Sequence, residues 1–171
     1  MAAGTLPNVW AGLEGAGPAL GWAAVGIGAA ALAYQWNQGQ EMIGYHVTRV
    51  KGAAGIIDEG FNIGRSKALN RYGPAYYIGH TPGEALRQTE FNALDTNVGV
   101  LEVRARLTRN FPGFGDRPFT QVYGAVVRNV FRGSITFTGA TGVPNYALFN
   151  PLEQVEAQRI YCLGLACTGT Q

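Results

Sequence analysis

Charged residues are scarce: they make up 14% of the 171 residues. The formal net charge of +2 gives no argument for a nucleic-acid partner. Cysteine is almost absent. Cys162 and Cys167 sit close together near the C-terminus. Two cysteines without further ligands do not make a zinc site, and the expectation is a pair of free thiols rather than a disulfide. Residues 1–40 contain no lysine or arginine and a single acid, Glu14. Without a basic leading region, this start does not read as a signal peptide. No internal repeat or heptad is visible. What is plentiful is apolar: 47% of residues are hydrophobic, enough for a core in one domain plus an appendage.

Residues 15–34 carry no charged or strongly polar side chain. Twenty helical residues rise about 30 Å, enough to cross a bilayer core. Trp22 lies within this stretch, and Tyr34 and Trp36 lie at its end, where aromatic residues favour the interface. Gly17, Gly21, Ala24 and Gly28 recur at helical spacing and would let a second membrane helix approach closely. The expectation is a leader over 1–40, with a single-pass membrane helix over about 15–36, followed by a domain over 41–171. A helix buried against a protein partner and the translocation segment of a secreted toxin are the competing readings. Arg49 and Lys51 follow the stretch and no base precedes it. The positive-inside tendency would therefore put the domain on the cytoplasmic or matrix-like side.

The domain reads as α+β. Met42–Val47 is expected to be a strand, with Thr48 capping a helix whose apolar positions are Val50, Ala53, Ala54 and Ile57 and whose end is Gly60. Residues 61–73 read as a loop and Pro74–Gly79 as an aromatic strand. Thr81-Pro82-Gly83-Glu84 is a capping box opening a helix to about Leu94. Leu101, Val103, Ala105 and Leu107 alternate with polar residues, the clearest strand in the chain. Residues 110–118 read as a loop. Further strands are expected near Thr120–Val127, Val130–Thr138, Asn145–Phe149 and Val155–Leu163.

Three groups of residues recur in a significant order. Tyr45-His46-Val47-Thr48 ends the first strand. Tyr72-Gly73-Pro74-Ala75-Tyr76-Tyr77-Ile78 leads into the second. Asn145-Tyr146-Ala147-Leu148-Phe149-Asn150-Pro151-Leu152-Glu153-Gln154-Val155 follows near the C-terminus. In this order they resemble the ADP-ribosyltransferases of the poly(ADP-ribose) polymerase type, over about residues 42–163.

The resemblance implies a split β-sandwich with two early helices, gripping NAD in a cleft. His46 would bond the adenine-side ribose, the backbone at Val47 and the hydroxyl of Thr48 would hold the nicotinamide amide, and Tyr77 would stack on the nicotinamide ring. Tyr72, the aromatic residue of the second motif, would be a further cofactor-binding residue. The family's catalytic glutamate falls on Asn145. Val47 and Ala75 replace family glycines, and Val47 should narrow the nicotinamide pocket.

Breaking the nicotinamide–ribose bond builds positive charge on the sugar, which a carboxylate stabilises and an amide does not. Glu102 and Glu153 are the candidate substitutes. The activity implied is at most mono-ADP-ribosyl transfer to a protein acceptor or NAD glycohydrolysis. The alternative is an inactive, membrane-anchored accessory subunit that uses the same fold as a scaffold. A third reading is a small α+β binding domain unrelated to NAD.

Overall fold

The computed structural model describes residues 36, 38–66, 70–91, 96–113 and 117–167. The expected membrane helix and its face of Gly17, Gly21, Ala24 and Gly28 lie outside the described residues. Among the described residues, no helix is long and apolar enough to cross a membrane.

From Gln38 on, the described residues belong to one compact unit of α+β architecture. Its strands are β1 (Gln40–Arg49), β2 (Tyr76–Gly79), β3 (Val98–Leu107), β4 (Asn110–Pro112), β5 (Ser134–Thr138), β6 (Pro144–Leu148) and β7 (Val155–Leu163). Its helices are α1 (Val50–Glu59), α2 (Pro82–Arg87), α3 (Arg117–Val126) and α4 (Pro151–Gln154). The strands form one mixed sheet in the order β4-β5-β6-β2-β1-β3-β7. The β4–β5 pair is parallel and the other neighbours are antiparallel.

The sheet is unevenly sewn. β1 and β3 pair along their whole length, from Gln40–Leu107 to Arg49–Val98. β2 and β6 pair from Tyr76–Leu148 to Gly79–Asn145. Between these halves, β1 and β2 share a single pair, Tyr45–Gly79. That pair falls at the last residue of β2.

Strand alternation decides which side chains share a cluster. Met42, Tyr76, Ile78, Leu101, Val103, Tyr146 and Leu148 share one cluster, covered by Ala53 and Ile56 of α1 and by Phe61. Tyr72, Ala75, Phe137, Ala147 and Phe149 share another, with Val127 from the end of the α3 segment. Val47, Val98 and Val100 pack against Ala85 of α2 in a third. Gly79 is what lets α2 lie so close, because a β-carbon there would clash with the Ala85 backbone.

Several local expectations change. Thr48 does not cap α1: the N-cap is Arg49, extended and without a side-chain bond, and Thr48 remains in β1. α1 buries Ala53 and packs Ile56, whereas Ile57 is exposed. Gly60 does close the helix, its N–H donating to the Ile56 carbonyl at φ +81°. α2 ends at Arg87 rather than running to Leu94. The Thr89 hydroxyl and N–H both take the Leu86 carbonyl, the acceptor a continuing helix would offer to residue 90.

The strand expected at Thr120–Val127 is helix, continued by a π-helical turn over Val127–Phe131. Its β-branched residues suggested a strand, but burial follows the helical period. Thr120, Gly124 and Val127 face inward, and Phe119, Val122, Val126 and Val130 face outward. The strand expected from Val130 begins only at Ser134, after Arg132 turns the chain at φ +51°. The 110–118 loop contains the short strand β4. Cys162 and Cys167 are not free thiols. Gly164, at φ +60°, reverses the chain after β7 and brings their Cα atoms to 5.3 Å, within disulfide range, and the two are bonded.

Candidate functional site

His46 follows Tyr45, the β1 residue of the single β1–β2 pair. Its Nδ1 lies 2.8 Å from the carbonyl oxygen of Tyr77. A carbonyl can only accept, so Nδ1 carries the proton and Nε2 is left as an acceptor. The ring is flanked edge-on by Tyr76 at 4.5 Å and Phe61 at 5.6 Å. Burial in this aromatic setting lowers the imidazole to about 4, against the opposing pull of the Tyr77 carbonyl. His46 is therefore neutral near pH 7 and presents a lone pair, the form that can accept from a sugar hydroxyl.

Tyr76 and Tyr77 point to opposite sides of β2, as strand alternation requires. Tyr76 stacks on Phe61 at 4.0 Å and its hydroxyl donates to Gln158 Oε1 at 3.2 Å. Gln158 in turn donates to the Ile56 carbonyl at 2.8 Å, which ties α1, β2 and β7 together. Tyr77 meets His46 through its backbone carbonyl. Its ring turns the other way, edge-on to Phe137 at 6.2 Å. The Tyr77 hydroxyl donates to the Gly73 carbonyl and accepts from the Tyr72 N–H, each at 2.9 Å. Burial pushes both phenols upward.

The remaining members of the first two motifs are placed as follows. Tyr72 is fully buried against Phe137, at 5.3 Å. The Arg71 guanidinium lies over both rings, at 5.5 and 5.6 Å. The Val47 side chain packs into the cluster with Ala85 of α2. Thr48 lies over α1, its hydroxyl against Gly52.

Asn145 pairs with Gly79 across β6–β2 and is 1% exposed. Its Oδ1 accepts from the His80 N–H at 3.3 Å, and its Nδ2 donates to Glu84 Oε2 at 3.2 Å. Glu84 Oε1 accepts from the Thr141 hydroxyl at 2.5 Å. The Thr141 hydrogen bond holds the Glu84 carboxyl below the usual glutamate range, helped by Asn145 and Arg87 and opposed by burial. Of the capping box, one half is made: Thr81 Oγ1 accepts from the Glu84 N–H at 3.2 Å. The Glu84 side chain turns inward to Asn145 and Thr141 rather than back to the Thr81 backbone.

The two carboxylates singled out as substitutes lie elsewhere. Glu102 accepts from Arg159 Nε at 2.7 Å. It lies in the row Asn145–Gly79–Tyr45–Glu102, three strand spacings from Asn145, about 14 Å. Glu153 pairs with Arg132 at 3.2 Å on the surface. Glu84, which is 3% exposed, is the carboxylate against Asn145. In the sequence Glu84 carries only the signal of a helix start, and no local pattern links it to a residue 61 positions away.

A cavity of about 530 Å³ opens between the start of β1, β4 and β6, lined by residues that include Met42, Phe111 and Tyr146. His46, Tyr77 and Asn145 do not line it. Among the described residues, no group of three or more His, Cys, Asp or Glu is arranged to hold a metal ion. No protein-family model and no curated protein matches the chain.

Proposed function

We propose that the domain is an ADP-ribosyltransferase-like module that binds NAD and acts, at most, as a mono-ADP-ribosyltransferase or NAD glycohydrolase. The finer fold reading, a split β-sandwich, belongs to the same proposal. One observation carries it. The three motif positions, widely separated in sequence, fall on the adjacent strands β1, β2 and β6, near the single β1–β2 pair. There His46 bonds the Tyr77 carbonyl, and Gly79, two residues on from Tyr77, pairs with Asn145.

In this reading the neutral His46 accepts from a ribose hydroxyl through Nε2, and Tyr77 and its neighbours position the nicotinamide end. NAD as substrate supplies the scissile bond, and the acceptor is water or a protein nucleophile. Calorimetry with NAD on the whole protein tests the reading. Binding in the wild type, lost in Tyr77→Ala, is the expected outcome. A folded protein that takes up no NAD at millimolar concentration would refute it.

The second reading, a membrane-anchored scaffold, is favoured by the state of Asn145, which is uncharged, buried and fixed by His80 and Glu84. In that reading, association through Gly17, Gly21, Ala24 and Gly28 matters and NAD does not. Leucine at Gly21 or Gly28 should then disrupt the complex, while His46→Ala leaves it intact.

A further inference from the structure

The cluster at the start of β6 holds a negative charge that the motif pattern does not provide. Glu84, Asn145, Thr141 and Gly139 meet there. Gly139 lies so close that a β-carbon would clash with both Glu84 Oε2 and Asn145 Nδ2. A second carboxylate at position 145 would stand about 3 Å from that of Glu84, and two carboxylates at that range do not both stay ionised. An amide at 145 is what a charged Glu84 requires, and this explains the departure from the family pattern.

The Thr141 hydroxyl sits on the carboxylate as a sugar hydroxyl would. Thr141 belongs to the β5–β6 turn, whose residues Ala140, Thr141 and Gly142 are exposed. The turn closes on itself through Gly139 N–H to the Val143 carbonyl at 2.8 Å and Gly142 N–H to the Gly139 carbonyl at 3.2 Å. Thr141 holds the turn to Glu84 of α2 through its side-chain hydroxyl and also through its backbone.

We propose that Glu84 is the catalytic carboxylate of this site, acting from the first turn of α2 in place of a glutamate on β6, and that the β5–β6 turn covers it through Thr141 until substrate enters. This rests on the NAD reading above. With NAD bound, the Thr141 hydroxyl gives way to a hydroxyl of the nicotinamide ribose or to the attacking water. The bond between ribose C1′ and the nicotinamide nitrogen breaks, and its electron pair leaves with neutral nicotinamide. The Glu84 charge opposes the positive charge on the sugar. Water adds at C1′ and its proton passes to the carboxylate and on to solvent. The products are ADP-ribose, nicotinamide and one proton, with no change in oxidation state.

The test follows nicotinamide release from NAD by the whole protein, alongside NAD affinity by calorimetry. Glu84→Gln keeps the shape of the side chain and removes the charge. It should lower turnover by about 10²–10³-fold while NAD affinity stays close to wild type. Thr141→Val takes the hydroxyl off the carboxylate, the largest of the contacts that favour its ionised form, and so loosens the cover, while the Thr141 backbone contact stays. KM for NAD should fall, and the acid limb of the kcat/KM–pH profile should move to higher pH. Among the described residues, Arg87 is the charged group that acts on this carboxylate; the turn and β6 present Thr141, Gly139 and Asn145, none of them charged.

If Glu84→Gln fails to fold, Thr141→Val decides, and an unmoved acid limb overturns the proposal. Wild-type turnover in a folded Glu84→Gln variant overturns it too, and leaves the NAD reading standing. A wild-type protein that binds NAD without releasing nicotinamide also ends it, and one that neither binds nor cleaves NAD ends both.

Discussion

Asn145→Asp is nearly isosteric, so its effect isolates charge. In the wild type, Nδ2 donates to an ionised Glu84 across 3.2 Å, and Glu84 is held below its usual range. The substitution removes a hydrogen bond to a charged group, roughly 1.5–3 kcal/mol. It also puts a second carboxylate in a buried site, so one of the pair must hold a proton that neither holds in the unfolded chain above about pH 5. Each unit by which that pKa is raised costs about 1.4 kcal/mol once the pH is above it. The total at pH 8 is on the order of 3–5 kcal/mol, or about 6–20 °C in Tm for a chain of this size.

The sign follows from linkage. The new group has a raised pKa in the folded state, so its penalty is absent below the unfolded value. It grows as pH rises toward the folded value. Thermal melts of wild type and variant at pH 5 and pH 8 should therefore diverge more at pH 8. An equal gap at both values, or none, would refute the contact between Asn145 and an ionised Glu84.

Other perturbations probe the neighbouring groups. His46 is lowered from 6.5 to about 4 in the folded state, so the unfolded chain takes up a proton first as pH falls. Stability should drop by about 2–3 kcal/mol between pH 7 and pH 4 on this account, and His46→Gln should flatten that part of a urea-midpoint profile. Tyr77→Phe leaves the Tyr72 N–H and the Gly73 carbonyl without the phenol. It should cost about 1–3 kcal/mol in urea denaturation while NAD binding survives, whereas Tyr77→Ala should lose both. Reducing the Cys162–Cys167 bond opens a short loop, for which chain entropy gives about 2 kcal/mol. A Tm unchanged by reductant would show that the bond does not contribute.

The legibility of this chain varies with the range of the interactions involved. β7 has the bounds that the sequence suggested, and β1, β3 and β6 lie within a few residues of theirs, because alternation and apolar runs are local signals. Thr81 and Gly60 were legible for the same reason, since a cap depends on a few neighbouring residues. The α3 segment was not legible. Its valines and aromatics suit a strand, and its helical form depends on Thr120, Gly124 and Val127 being buried by other elements, including the Tyr72 backbone against Gly124. The order of the three motifs could be read, but the direction in which each side chain points could not. His46 and Tyr77 meet through a carbonyl rather than through their rings because adjacent residues on β2 face opposite ways.

The sequence by itself determined the α+β class of the domain, the positions of most of its strands and the chemistry available at His46, Tyr77 and Asn145, because these depend on residue type and on spacing of a few positions. The tertiary structure alone decided that β1 and β2 share a single pair, that Cys162 meets Cys167, and that Glu84 faces Asn145. Each of these depends on where the folded backbone brings the chain together. Residues 61 positions apart leave no mark on one another until α2 packs beside β6 and sets them 3.2 Å apart.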